Sequence, residues 1–261
     1  MVRREAAQYG LAITRAELVG LIPQKALLNA ARWYLQIDPF RDEQVLELRL
    51  EKGEAQAVQP SPAPFVDGVA AATPTPGGGS VAAQTGALGA ALAQMAAGLT
   101  VGRKKYADVA EAAGRVLDEA DSVRRQLVAA IEEDAAAFER ILAVMRDKSL
   151  DEEAKASALE AATVNAGEVP LRVVRLSRDA ARLAQTIATI GNVNAATDAA
   201  VGAIMARAAA EEAGLNVRIN SISLKDRALA GAWRAEVEAL LAEVNTISAA
   251  AVATAIERGG F

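Results

Sequence analysis

The chain contains neither histidine nor cysteine among its 261 residues. That excludes a His or Cys metal centre, a Ser-His or Cys-His dyad and a disulfide framework. Proton transfer therefore falls to Asp, Glu, Lys, Arg or Tyr, with whatever help a bound substrate gives. The missing cysteines fit a reducing compartment. Aromatic residues make up 3% of the chain, and the net charge is −5, so a basic excess is lacking as well. A surface for nucleic-acid phosphates needs such an excess, which argues against that partner. Arg3 and Arg4 are followed by no apolar core segment and no small-residue cleavage site, so no signal peptide is expected and a cytoplasmic location is. Nothing from Gly68 to Gly102 carries a charge, a stretch longer than a bilayer span. Pro74, Pro76 and three glycines interrupt it, and its apolar half is mostly Ala and Gly. No membrane partner is expected.

Alanine is what the chain has in abundance, about a quarter of all residues, and this favours helix over strand. With 52% hydrophobic residues the chain can bury a sizeable core. Composition shifts near residue 53. Before it, Gly10 ends a short helix-like stretch, Leu11 to Ile13 has strand character, and Pro23 starts a helix running to about Gln36. From Gln44 to Glu51, Leu46, Leu48 and Leu50 alternate with polar neighbours, as in a half-buried strand. Such an α/β scrap is too small to bury its own faces. Gly53 to Pro64, with three prolines and no periodicity, reads as a linker. The expected domains are thus 1–53, a linker over 54–64 and a helical domain over 65–261.

Helices are predicted over 65–72, 80–101, 105–147, 151–190 with a break near Pro170, 195–213, 216–224 and 226–258. The fold class is mainly α, a multi-helical bundle of long antiparallel helices completed by a second subunit. In the first long helix Ala82, Gly86, Gly89 and Ala93 form a face almost without side chains. Leu88, Leu92, Met95 and Leu99 form another, leaving no polar face, so burial on all sides is expected.

Asp134 is the most informative residue. It sits on the apolar seam Leu127, Ile131, Asp134, Phe138, Ile141 and Met145, while Glu132 and Glu133 fall off it. A carboxylate in that slot either pairs with a cation or helix N-terminus, or has a raised pKa suited to acid–base work. Gly77, Gly78 and Gly79 before Ser80 let a backbone approach an anion at a helix start; the plainer reading is a flexible turn with Ser80 as N-cap. Arg103, Lys104 and Lys105 end the uncharged helix, either complementing its dipole or receiving a polyanionic tail. Asn192 and Asp198 lie where one helix breaks and the next starts, with Asn194, Thr197 and Asp198 as capping candidates. Asn216 and Asn220, one turn apart among apolar residues, suit a helix–helix staple or a polar ligand edge.

In order along the chain, Pro76-Gly77-Gly78-Gly79-Ser80-Val81-Ala82-Ala83, the Gly86 to Leu92 run, Gly102-Arg103-Lys104-Lys105-Tyr106 and Asp134-Ala135-Ala136-Ala137-Phe138 form an ordered set. Val169-Pro170-Leu171, Gly191-Asn192 with Asp198, and Asn216-Val217-Arg218-Ile219-Asn220 complete it. From about residue 65 onward the chain resembles the cyclodeaminase part of the formiminotransferase-cyclodeaminase family, which includes methenyltetrahydrofolate cyclohydrolases. The first fifty residues resemble the end of the formiminotransferase part through Glu17 to Pro23 and Lys25-Ala26-Leu27-Leu28, departing from it at Arg15-Ala16.

The resemblance implies closure of 5-formiminotetrahydrofolate to 5,10-methenyltetrahydrofolate with loss of ammonia, a step of one-carbon metabolism and histidine degradation. The family's catalytic aspartate maps onto Asp134, and the expected substrate contacts are Gly77, Gly78, Gly79, Ser80, Arg103, Lys104, Lys105, Asn192, Asp198, Asn216 and Asn220. No cofactor beyond the tetrahydrofolate substrate and no metal is implied. The partners implied are a tetrahydrofolate (poly)glutamate and a second copy of the chain. Transferase activity is not expected, because the family's transferase histidine belongs to a subdomain this chain lacks. Two other readings stay open: a cyclohydrolase using the same pocket, and a silent helical scaffold with Asp134 locked to an arginine far from any cavity.

Overall fold

A computed structural model of the chain describes residues 2–15, 23–36, 45 and 62–260. These fall in two compact units, Met1–Pro62 and Ala63–Phe261. In the first, α1 spans Val2–Gln8 and α2 spans Gln24–Leu35. Gly10 follows α1 with a positive φ of 69°, a conformation glycine adopts without strain. Leu11 to Ile13, expected to have strand character, instead lack regular structure. A lone strand has no ladder to complete, so local β preference is not enough. On α2, Leu27, Trp33 and Tyr34 are exposed, as expected of a fragment too small to bury its faces. The alternating segment Gln44 to Glu51, apart from Val45, and the linker over 54–61 lie outside the described residues.

The second unit is all helix among the described residues: α3 (Ala63–Ala70), α4 (Gly78–Gly98), α5 (Ala110–Arg146), α6 (Glu152–Ile190), α7 (Ala196–Ser223) and α8 (Arg227–Gly259). Short connections force successive long helices to return beside one another, which makes neighbours antiparallel. The helix α4 packs against α5, α6 and α7, and α8 closes the bundle over α6 and α7. The bare face of α4 is what permits this. Ala82, Ala83, Ala90 and Ala93 are fully buried, and a Cβ on Gly89 would lie 2.8 Å from the Gly202 carbonyl oxygen of α7. Backbones that close exclude every side chain larger than hydrogen there.

Three expectations need correction. First, α4 is not buried all round: Leu88, Met95 and Leu99 are each more than 40% exposed. Second, α7 runs unbroken through Ala213 to Asn216, because Gly214 faces Val237 of α8 in tight packing rather than ending the helix. Third, α6 runs unbroken through Pro170. Proline there removes the donor for the carbonyl four residues earlier, at a typical cost of about 3 kcal/mol. The freed carbonyl of Ala166 accepts instead from Asn220 Nδ2 of α7 at 2.8 Å. Pro170 itself is fully buried, between Val169 and Leu171 of the same buried stretch. By length and composition α8 could cross a membrane. Its Ala230, Trp233, Val237, Val244 and Ala251 belong to the bundle core.

Candidate active site at the start of helix α4

A cluster of polar groups gathers where α4 begins. Gly77 is the N-cap of α4 and offers no side chain, so the first helical N–H groups look for acceptors elsewhere. Asp134, from the middle of α5, supplies one. Its carboxylate accepts from the Ser80 hydroxyl at 3.0 Å and from the Ser80 backbone N–H. Ser80 is therefore not the N-cap. It stands inside the helix, fully buried, and its hydroxyl also lies 3.1 Å from the Ile131 carbonyl oxygen of α5. At Gly79 a Cβ would overlap the Asp134 carboxylate, which makes this glycine a condition of the contact.

Burial pushes the Asp134 carboxyl above the usual carboxylate range, and the hydrogen bonds from Ser80 only partly offset it. Glu132 and Glu133 face solvent, as the seam requires, and Glu133 pairs with Arg172. Farther along the seam Phe138 and Met145 are exposed rather than buried, so the seam leaves the core just beyond Asp134. Asp134, Phe138 and Ile141 form one wall of a cleft of about 160 Å³. Pro74, Thr75 and Gly77 to Gly79 form a second, and Ala166, Asn216 and Asn220 close it. The Thr75–Pro76 peptide is cis. Asp134 thus holds a helix start and faces a cavity at once.

Comparison with known proteins identifies the family of the chain. A sequence model of the formiminotransferase-cyclodeaminase family matches residues 61–239, and one of the formiminotransferase domain matches residues 1–52. The chain belongs to the formiminotransferase-cyclodeaminase family. A Methylorubrum extorquens protein named methenyltetrahydrofolate cyclohydrolase is 41% identical over 187 residues, which cover 70% of this chain and 90% of that protein. The pig formimidoyltransferase-cyclodeaminase is 30% identical over 276 residues, covering 94% of this chain and 51% of its own length. The chain spans about half the length of such bifunctional relatives. The crystal structure of formiminotetrahydrofolate cyclodeaminase from Thermotoga maritima matches with a TM-score of 0.68 and 29% identity, over 77% of this chain and 97% of that one. The all-helical fold is thus the fold of a cyclodeaminase, and the family is one of folate one-carbon enzymes.

At the Asp134 cleft, Gly77, Gly78, Gly79, Ser80, Asp134, Asn216 and Asn220 come together. Asn220 proves to be a staple first, through its bond to Ala166. Asn216 donates to the Glu212 carbonyl oxygen of its own helix at 3.0 Å and stands opposite Gly78. The other expected contacts lie elsewhere in the protomer. Arg103, Lys104 and Lys105 are exposed beyond the C-terminus of α4, and a helix of 21 residues puts roughly 30 Å between its ends.

Asn192 is at that far end too, with its polar groups already engaged. Its backbone N–H donates to the Thr100 hydroxyl, its Nδ2 to the Leu99 carbonyl oxygen, and its Oδ1 accepts from Tyr106 and from the Asn194 N–H. Its bonds tie chain ends together, and Asn192, not Asn194, Thr197 or Asp198, caps the turn Val193–Ala195. Asp198, in the first turn of α7, is likewise absent from the Asp134 cleft. The residue that sequence reasoning missed is Glu212. It stands one turn before Asn216 on the same face of α7, a spacing of four that Glu212, Asn216 and Asn220 share.

Proposed function

We propose that the protein is a formiminotetrahydrofolate cyclodeaminase. It closes 5-formiminotetrahydrofolate to 5,10-methenyltetrahydrofolate and releases ammonia. The observation that carries this reading is Asp134, a carboxyl of raised pKa set at the rim of a cleft against a glycine-walled helix start. Ring closure is intramolecular, so holding N10 against the formimino carbon supplies much of the acceleration. Asp134 takes the N10 proton as the new bond forms and returns it to the departing nitrogen, work suited to a carboxyl with pKa moved toward neutrality. The Gly-rich turn lets the substrate approach backbone N–H groups without side chains in the way.

A second reading has one specific observation in its favour. The 41% identical relative is named for cyclohydrolysis, in which water attacks the methenyl carbon in the same pocket. The deciding experiment follows methenyltetrahydrofolate absorbance from the formimino compound and measures ammonia in parallel. Formation of both products supports the cyclodeaminase. Hydrolysis of added methenyl compound without ammonia release from the formimino compound would replace it with the cyclohydrolase.

The protein is further proposed to act in the cytoplasm as a homodimer, with no cofactor besides the folate and no transferase activity. The exposed Leu88, Met95 and Leu99 stripe on α4 is the face a second copy would cover. Arg103, Lys104 and Lys105 are proposed to receive the distal carboxylates of a polyglutamate tail. At roughly 30 Å from the Gly-rich turn along one protomer, only an extended tail reaches them.

A further inference from the structure

The 160 Å³ cleft of Asp134 has a neighbour of about 530 Å³, and the two share Pro74, Gly77, Gly78 and Asn216 as a common wall. Glu212 lines the larger one, together with Val81 and Leu215. A ligand atom resting on the Gly77–Gly78 turn therefore has Asp134 beside one cleft and Glu212 beside the other. The two carboxyls differ in how they are satisfied. Asp134 accepts from Ser80 twice over, whereas Glu212 Oε2 is shut from solvent and has no hydrogen-bond partner. A carboxylate oxygen in that state lacks the donor it would need to stay charged at low cost.

The surroundings of Glu212 give its carboxyl one neutral donor and no paired cation. From α4 it receives the hydroxyl of Thr85, and the charge acting on it is the like charge of Glu211 on its own helix. Glu211 in turn faces Arg207 at 3.8 Å. Burial consequently pushes the Glu212 carboxyl above its usual range. What would satisfy it is a cationic N–H donor brought in by the ligand.

We propose that Glu212 is the acceptor for the exocyclic nitrogen of the substrate, and that it selects a formimino group over a formyl or methenyl group. The inference rests on the cyclodeaminase reading and deepens it. A formimino group on nitrogen is an amidine, a strong base that carries a positive charge and N–H donors at neutral pH. A formyl group presents an oxygen acceptor at the same place, and a methenyl bridge presents neither. The step balances with Glu212 as holder only. The N10–carbon bond forms, the exocyclic carbon–nitrogen bond breaks, and the nitrogen leaves with the bonding pair. The proton that Asp134 took from N10 completes ammonia.

The test compares Glu212→Gln with wild type on two compounds, through kcat/KM for 5-formiminotetrahydrofolate and the inhibition constant of 5-formyltetrahydrofolate. Loss of a charge-assisted hydrogen bond should lower kcat/KM for the formimino compound by about 10–100-fold. Binding of the formyl compound should be unchanged or tighter, since the glutamine amide can donate to its oxygen. Thr85→Val should shift the formimino value in the same direction by a few-fold and leave the formyl value alone. It also serves as the second variant should Glu212→Gln lose its fold, which circular dichroism and the melting temperature would reveal. Equal changes for both compounds, or no change, would overturn the role of Glu212 while leaving the cyclodeaminase reading standing. Wild-type protein that releases no ammonia from the formimino compound and binds no formyl compound would overturn both.

Discussion

Helix α4 has polar groups at both ends, but the two ends settle them differently. At its C-terminal end Leu99, Thr100, Tyr106 and Asn192 satisfy one another through hydrogen bonds of 2.9 to 3.3 Å. At its N-terminal end the Asp134 carboxyl is held above its ordinary pKa range by burial, and Glu212 Oε2 has no partner. Buried polar groups that complete each other stabilise a fold, whereas groups left wanting wait for something from outside. The comparison separates polar side chains whose hydrogen bonds are complete from carboxylates left open beside a cleft, although both kinds look alike as residue types.

The strongest way to break this contrast is Asp134→Asn. The amide keeps an acceptor for Ser80 and removes the titratable proton, so turnover should fall by about 10²–10⁴ while the fold persists. Turnover near the wild-type rate would return Asp134 to a purely structural role. Its stability profile has a definite sign. A carboxyl whose folded pKa is raised favours the folded state fully only below the unfolded pKa, and that contribution is lost as pH rises through the folded pKa. Above that window wild type should therefore be no more stable than the Asn variant, which thermal melts across pH would show.

The two asparagine staples sharpen the contrast next. Asn192→Ala and Asn220→Ala each leave buried carbonyl or hydroxyl partners unmatched, and each should cost about 1–3 kcal/mol in denaturant unfolding. Only Asn220→Ala should also impair catalysis, because Asn220 lines the Asp134 cleft and Asn192 does not. Equal kinetic damage from both would erase the distinction between the ends.

A smaller effect is expected from reversing the charge of Lys104 and Lys105 together. The Michaelis constant for a polyglutamylated substrate should rise by a few-fold with kcat intact, and the change should fade with salt because exposed charges are screened over about 8–10 Å. The monoglutamate should show no change, since it is too short to reach the far end. Smallest of all is Arg175 with Glu236, a bidentate pair between α6 and α8 at 2.6 and 2.7 Å with both partners substantially exposed. Replacing Glu236 with Gln should shift stability by less than about 1 kcal/mol.

Much of this was legible in the residues. The bare face of α4 announced close helix packing, and Gly89 against Gly202 is that packing realised. The seam from Leu127 to Ile141 singled out Asp134 because helical periodicity assigns a face without reference to any partner. Pro170 and the gap set between residues 213 and 216 misled, since proline and glycine break helices by local preference and each is overruled here by a neighbouring helix. Ser80 misled as well, because a hydroxyl near a helix start caps locally or reaches across, and only the position of α5 decides between them.

By itself the sequence determined that the chain is helical, that His and Cys chemistry is absent, that Asp134 sits on a buried seam, and which family the chain belongs to. Those are properties of composition, period and order, all carried along one strand of covalent bonds. Tertiary structure alone decided that Asp134 meets Ser80, that Glu212 Oε2 lacks a donor, and that Arg103 to Lys105 lie a helix length from the cleft. Hydrogen bonding and desolvation depend on which atoms approach in space, and residues 80 and 134, like residues 85 and 212, are brought together only by the return of antiparallel helices.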